Sequence, residues 1–295
     1  MATYTLILLT FFFSLTTNAS SCCGGGANIP NIILGDHQWE AKINYANSAV
    51  TSEAGVDGKI HNINSKNEVT ETVALKGSYL IDSYFQIAID IPVKKRTVES
   101  SLKETSTTEV VDPSFQLTWE FLPELTYNLL KPRGFLFFKQ LIPNGNSIYS
   151  YDDPLLSDSL SRGVYESTLG LALFKVIYDY DYSVTLEGHY GFKRTIDNKE
   201  VEPGFGYSSS LGLGYNPNAT MRIGTSLTYW QDSAVKIDGI EGENKYYLST
   251  SFNYSYMFTR SSLVLNYSDE TILNVAKNTN LAKVISLTYK VFEDL

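Results

Sequence analysis

Residues 180–194 read Y-D-Y-S-V-T-L-E-G-H-Y-G-F-K-R, and their alternation limits the fold more than any other feature of the chain. Tyr180, Tyr182, Val184, Leu186, Tyr190 and Phe192 share one parity, interrupted by Gly188. Asp181, Ser183, Thr185, Glu187, His189, Gly191 and Lys193 share the other. A period of two held this long is a β-strand with one apolar and one polar face. Its apolar face carries aromatic rings near the ends and Val184 and Leu186 in the middle. That depth order suits a strand crossing a bilayer, with rings at the interfaces and aliphatics in the hydrocarbon.

The design repeats along the chain. About twelve strand candidates follow one another, a number within the range of closed membrane barrels. They lie at 38–48, 69–81, 84–93, 114–122, 134–142, 163–176, 180–194, 204–215, 220–230, 245–258, 262–268 and 282–292. The candidate at 134–142 is apolar on both faces, so its phase cannot be read. Connections alternate in length. Polar stretches at 49–68, 94–113, 143–162, 195–203, 231–244 and 269–281 follow the odd strands. Tight joints at 82–83, 177–179, 216–218 and 259–261 follow the even ones. The exception is the longer joint 123–133, with helical spacing at Leu125 and Leu129. Outer-membrane barrels have short periplasmic turns, long external loops and an even strand count. A soluble sandwich has no reason to sort its loops this way. Closure also removes the unpaired edges that lipid cannot tolerate. The expected fold class is therefore all-β: a transmembrane antiparallel β-barrel spanning 36–295. Pro123, Pro132, Pro143, Pro154, Pro203 and Pro217 fall in connections, whereas Pro92, late in the third strand, requires a rim position.

Composition agrees. Twenty-one tyrosines against three methionines suit a boundary between water and hydrocarbon better than a soluble core. A net charge of −9 without a Lys/Arg cluster argues against nucleic acid as a partner. At the amino terminus an apolar run of about a dozen residues at 5–15 is too short to span a membrane. Small residues follow it, so 1–21 is expected to be a secretory signal peptide, although 1–4 carry no Lys or Arg. Cys22 and Cys23 are adjacent. Their Cα atoms stand about 3.8 Å apart, closer than disulfides usually span. The lipidation pattern lacks its leucine, and two thiols alone do not make a metal site. The remaining expectation for 22–35 is a short periplasmic Cys/Gly segment.

On the assigned phase the lumen face carries Lys76, Gln86, Asp90, Glu120, Glu166, Glu187, His189 and Arg222. The charged members are candidate pore-lining groups that would bias a solvated path. The competing expectation is that they pair into a hydrogen-bonded filling of a narrow barrel. Gly206, Gly212, Gly214 and Gly224, with the serines beside them, are expected to leave room on one wall. Hydrolysis would need a Ser nucleophile with a His base, or a carboxylate pair. Of three histidines only His189 lies within a strand, no G-x-S-x-G occurs, and no metal-ligand spacing exists. No enzymatic activity, metal or cofactor is expected. Glu187 and His189 share a face and look like pore lining rather than an active-site pair.

Short motifs in the middle of the chain carry a resemblance. They are Asp112-Pro113-Ser114-Phe115, Pro132-Arg133-Gly134-Phe135, Leu141-Ile142-Pro143-Asn144-Gly145, Ser161-Arg162-Gly163, Gly170-Leu171 and Phe174-Lys175. Together they resemble the outer-membrane barrel family associated with the MetA pathway of phenol degradation. That resemblance implies a transport-type barrel and supplies no catalytic residues. The start Cys22-Cys23-Gly24-Gly25 is similar to envelope proteins of predatory Gram-negative bacteria. The expectation for the whole is a barrel in the bacterial outer membrane, surrounded by the lipid bilayer and lipopolysaccharide, allowing passive and selective passage of a small-molecule solute. The alternative is a closed structural or adhesive barrel with binding loops.

Overall fold

The structure, a computed structural model, describes residues 30–35, 37–63, 66–100, 103–150 and 157–294. The expected signal peptide and Cys22 and Cys23 lie outside the described residues. Twelve long strands form the wall. They are β1 (His37–Ala54), β2 (Lys66–Leu80), β3 (Phe85–Ser100), β4 (Ser114–Leu122), β5 (Arg133–Leu141) and β6 (Glu166–Ile177). The second half comprises β7 (Tyr180–Gly191), β8 (Gly204–Asn218), β9 (Met221–Asp232), β10 (Lys245–Met257), β11 (Ser261–Asp269) and β12 (Thr279–Asp294). Each pairs antiparallel with the next, and β12 returns to β1 from Trp39↔Glu293 to Ala54↔Thr279. The sheet is closed, so no wall strand presents an unpaired edge to lipid. No helix occurs among the described residues.

Exposure settles the phase. In β7, Tyr180, Tyr182, Leu186 and Tyr190 are 45–47% exposed, whereas Asp181, Thr185 and His189 are 3–4% exposed. In a closed barrel the covered face is the lumen, so the rings and aliphatics face outward. In β5, the strand whose phase the sequence hides, Phe135 and Phe137 are buried inside and Leu136 and Phe138 face lipid. Pro92 lies two residues past Asp90, the last residue of β3 to pair with β4. It therefore costs that seam no ladder bond, as its expected rim position requires.

Two expectations are corrected. The long polar connections at 49–68 and 94–113 are largely strand, because β1 to β3 continue past the apolar belt. Beyond it, Glu104–Val110 pairs with β3 and Ile60–Asn62 pairs with β1. The short strands Arg194–Ile196, Lys199–Glu202, Lys236–Ile237 and Ile240–Glu241 make a separate four-stranded sheet from two loops. Each is only two to four residues long, too short for an alternating pattern to mark it in the sequence. The joint 123–133 is not helical despite the spacing of Leu125 and Leu129. Its turn is made instead by Asn128, whose Oδ1 accepts from Leu130 N at 2.9 Å and Lys131 N at 3.2 Å.

Candidate functional site

All eight lumen candidates lie on the inner face, and each has a partner. Lys76 and Asp90 face each other across β2 and β3, with Nζ 3.0 Å from Oδ2. Glu120 receives a bidentate bond from Arg133 at 2.8 and 2.9 Å. Glu166 pairs with Arg162. His189 Nε2 sits 2.6 Å from Asp232 Oδ1. Arg222 donates to both oxygens of Asp181 at 2.7 Å and to Asn253 Oδ1 at 2.6 Å. Glu187 has the Ser208 hydroxyl within reach, so it and His189 turn to different partners rather than to each other.

Apart from Lys76 and Asp90, which pair with each other, the sequence reading missed the other halves of these pairs. It also missed a cluster at the closing seam, where Glu40 Oε2 is 2.9 Å from Lys42 and Oε1 is 3.1 Å from Lys290. Asp181 and Asp232 share parity with lumen groups already recognised, and that signal could have found them. The expected room beside the glycines is taken. A Cβ at Gly206 would collide with the His189 ring and Asp232, and one at Gly214 with Asp181 and Arg222. The small residues let these ion pairs lie flat against the wall.

The inner end of the lumen is occupied by the chain itself. Residues 30–35 run into the barrel. Ile32 packs on Phe135, Phe137, Ala172 and Phe174, with Leu34 alongside. This explains the inward aromatics of β5. Burial of each aliphatic side chain contributes about 1.5–3 kcal/mol. A lone extended segment inside a barrel must find partners for its backbone. Ile33 N donates to Gln86 Oε1 at 2.8 Å, and Gln86 Nε2 returns a bond to Ile33 O at 3.0 Å. Gln116 Nε2 donates to Asn31 O at 3.2 Å, and Arg133 Nη1 donates to Leu34 O.

The outer end is narrowed by the connection between β5 and β6. Ser147, Ser157, Leu160, Ser161 and Val164 of this loop are buried. Asp112 pins it: Oδ1 accepts from Ser161 Oγ at 2.5 Å and Oδ2 from Arg162 N at 2.8 Å. Gly163 adopts φ +71°, and a Cβ there would strike Ser147. Arg162 then lies over the Trp230 ring at 5.7 Å, and His189 stacks on the same ring at 4.7 Å. Between the two obstructions remains a cavity of about 200 Å³, lined among others by Pro30, Phe137, Lys139, Glu187, Ser208 and Trp230. Its wall mixes two rings, two opposite charges and hydroxyls.

No family model and no curated protein matches the chain. Solved structures do match. The COG4313 outer membrane channel from Pseudomonas putida F1 aligns with TM-score 0.74 at 14% identity, over 88% of this chain and 96% of that one. This chain has the outer-membrane β-barrel fold. The translocator domain of the autotransporter NalP from Neisseria meningitidis aligns at TM-score 0.51 and 9% identity, over 88% and 89% of the two chains. At these identities the likeness is one of fold.

Proposed function

We propose that the protein is a bacterial outer-membrane channel for passive, selective passage of small molecules, set in phospholipid and lipopolysaccharide. The observation that carries this reading is the cavity inside the lumen, bordered by Pro30 at one side and by Trp230, on which Arg162 of the outer loop lies, at another. At about 200 Å³ it exceeds the roughly 150 Å³ void that admits benzene, so a single-ring solute fits. The channel named in the solved structure from Pseudomonas putida F1 supports the reading by shared fold. Among the pore-lining candidates, Glu187 borders the cavity directly, with Lys139 as its counter-charge. Lys76, Asp90, Glu120, Glu166, His189 and Arg222 act through the ion pairs that hold wall and mouth in shape. Reconstitution in planar bilayers tests the proposal: discrete conductance steps are expected, and a well-folded protein that gives none overturns it. A silent protein would instead favour the closed, adhesive reading, which the obstruction of both lumen ends recommends.

The finer assignment to transport-type barrels associated with the MetA pathway is also a proposal. Its support is geometric, because Asp112, Ser161, Arg162 and Gly163 of the shared motifs meet at the outer mouth. Residues 1–21 are proposed as a cleaved signal, which sequencing of the mature amino terminus would test.

A further inference from the structure

Lys175 is out of place. Along β6 it follows Leu169, Leu171 and Leu173 in parity, and Leu169 is 64% exposed on the lipid face. Across the seam Lys175 pairs in register with Tyr182 of β7, an outward ring 45% exposed. Its side chain therefore leaves the wall on the membrane side, near the inner end of the barrel. Yet Lys175 is only 8% exposed. What covers it is the connection between β4 and β5. Glu124 of that connection forms an ion pair with the Lys175 ammonium, and the Tyr127 ring lies 4.9 Å from Nζ. To reach Lys175 the connection must fold outward across β5 and lie against the lipid-facing wall.

The residues it leaves uncovered are apolar. Leu125 is 79% exposed, Tyr127 65%, Leu129 45% and Leu130 86%, and the exposed Lys131 follows them. Three of its backbone N–H groups are satisfied within the segment. Asn128 Oδ1 takes those of Leu130 and Lys131, and Glu124 Oε1 takes that of Asn128 at 3.1 Å. Such internal pairing suits a segment at a depth where water is scarce. The other connections at this end are tight turns, such as the one Asp82 closes by accepting from Tyr84 N and Phe85 N.

We propose that residues 123–132 form a ledge embedded in the periplasmic leaflet, with phospholipid as its partner. Leu125, Leu129 and Leu130 enter the acyl region, and Tyr127 and Lys131 lie at headgroup level. The surface is continuous with the lipid-facing belt of β4, where Leu117 and Trp119 are exposed. Glu124 neutralises Lys175, which this arrangement lays against the lipid-facing wall. The proposal does not depend on conduction.

Tryptophan fluorescence of the mature protein in phospholipid vesicles tests it. In a W39F/W119F background only the lumen-facing Trp230 remains, and its signal is subtracted using the parent. Leu130→Trp and, independently, Leu129→Trp then report on the ledge, and Ile240→Trp on the outer loops serves as a water-facing control. Heat-modifiable gel mobility identifies folded protein for each variant. The expected result is blue-shifted emission that brominated phospholipid quenches and acrylamide does not, the reverse of the Ile240→Trp control. Red-shifted emission quenched by acrylamide would place the segment in the periplasm and overturn the proposal. Protection from both quenchers that changes with protein-to-lipid ratio would assign the surface to a second copy, and also overturns it.

Discussion

Arg222 lies 6% exposed in the lumen, with three charged or polar acceptors around its guanidinium. Removing one member of such a buried pair strands the other, at a typical cost of 3–5 kcal/mol, about the range for any broken buried salt bridge. Asp181→Ala is expected to destabilise the barrel by about that amount in urea unfolding from lipid vesicles. The double change Asp181→Leu with Arg222→Met should cost much less, because no uncompensated charge remains. Glu270, in the loop after β11, behaves differently. Burial, with Asp269 beside it, lifts its carboxyl from 4.5 to about 7, against the opposing hydrogen bond from Ala282 N. Between those two values the folded loop keeps a proton that the unfolded chain has lost. Its contribution is therefore full at low pH and declines as pH rises from about 4.5 through 7. Hydrogen-exchange protection of other loop amides, such as Asn274, should fall across that window after correction for intrinsic exchange, and Glu270→Gln should flatten the dependence. An unchanged profile in the variant would show that another group is responsible.

At the scale of elements, the two obstructions of the lumen are held by different means. The loop between β5 and β6 hangs on Asp112, whose carboxylate takes bonds from Ser161, Arg162 and Asn144. A hydrogen bond to a charged group is typically worth about 1.5–3 kcal/mol, so losing several at once should free the loop without unfolding the wall. Asp112→Ala is expected to raise single-channel conductance and leave the urea midpoint nearly unchanged. Residues 30–35 are held by apolar packing of Ile32 and Leu34 together with bonds from Gln86, Gln116 and Arg133 to their backbone. Ile32→Asp places a carboxylate among Phe135, Phe137 and Phe174, which should expel the segment and enlarge the conductance steps. If the steps keep their size, residues 30–35 do not restrict the path.

For the whole molecule, the decisive property is the sorting of the wall into an apolar outside and a polar inside. Leu211, 57% exposed in the middle of β8, stands for the lipid face, and Ser251, 4% exposed on β10, for the lumen. Leu211→Arg should lower the folding free energy in vesicles by about 2–4 kcal/mol, the midplane cost of a cation on the outside of a barrel. Ser251→Arg should cost less in stability and instead reduce conductance. Similar losses from both would show that the lipid face is not where the exposure pattern puts it.

Strand number, the phase of strands such as β7 and the identity of the lumen face could be read from alternation alone, because bilayer and water act on every residue of a crossing strand. The eight candidate groups were legible for the same reason. Apart from Lys76 and Asp90, their partners were not. Arg222 with Asp181 and His189 with Asp232 are brought together by the pairing of β7 and β9 with the strand between them, over separations of 41 and 43 residues, which no local pattern records. The phase of β5 also waited for the tertiary structure, since its inward Phe135 and Phe137 are explained only by Ile32 entering the lumen. The joint 123–133, read by its spacing as helical, is set by the covering of Lys175. Residue-by-residue solvation determined the wall, and long-range contact alone decided what fills it.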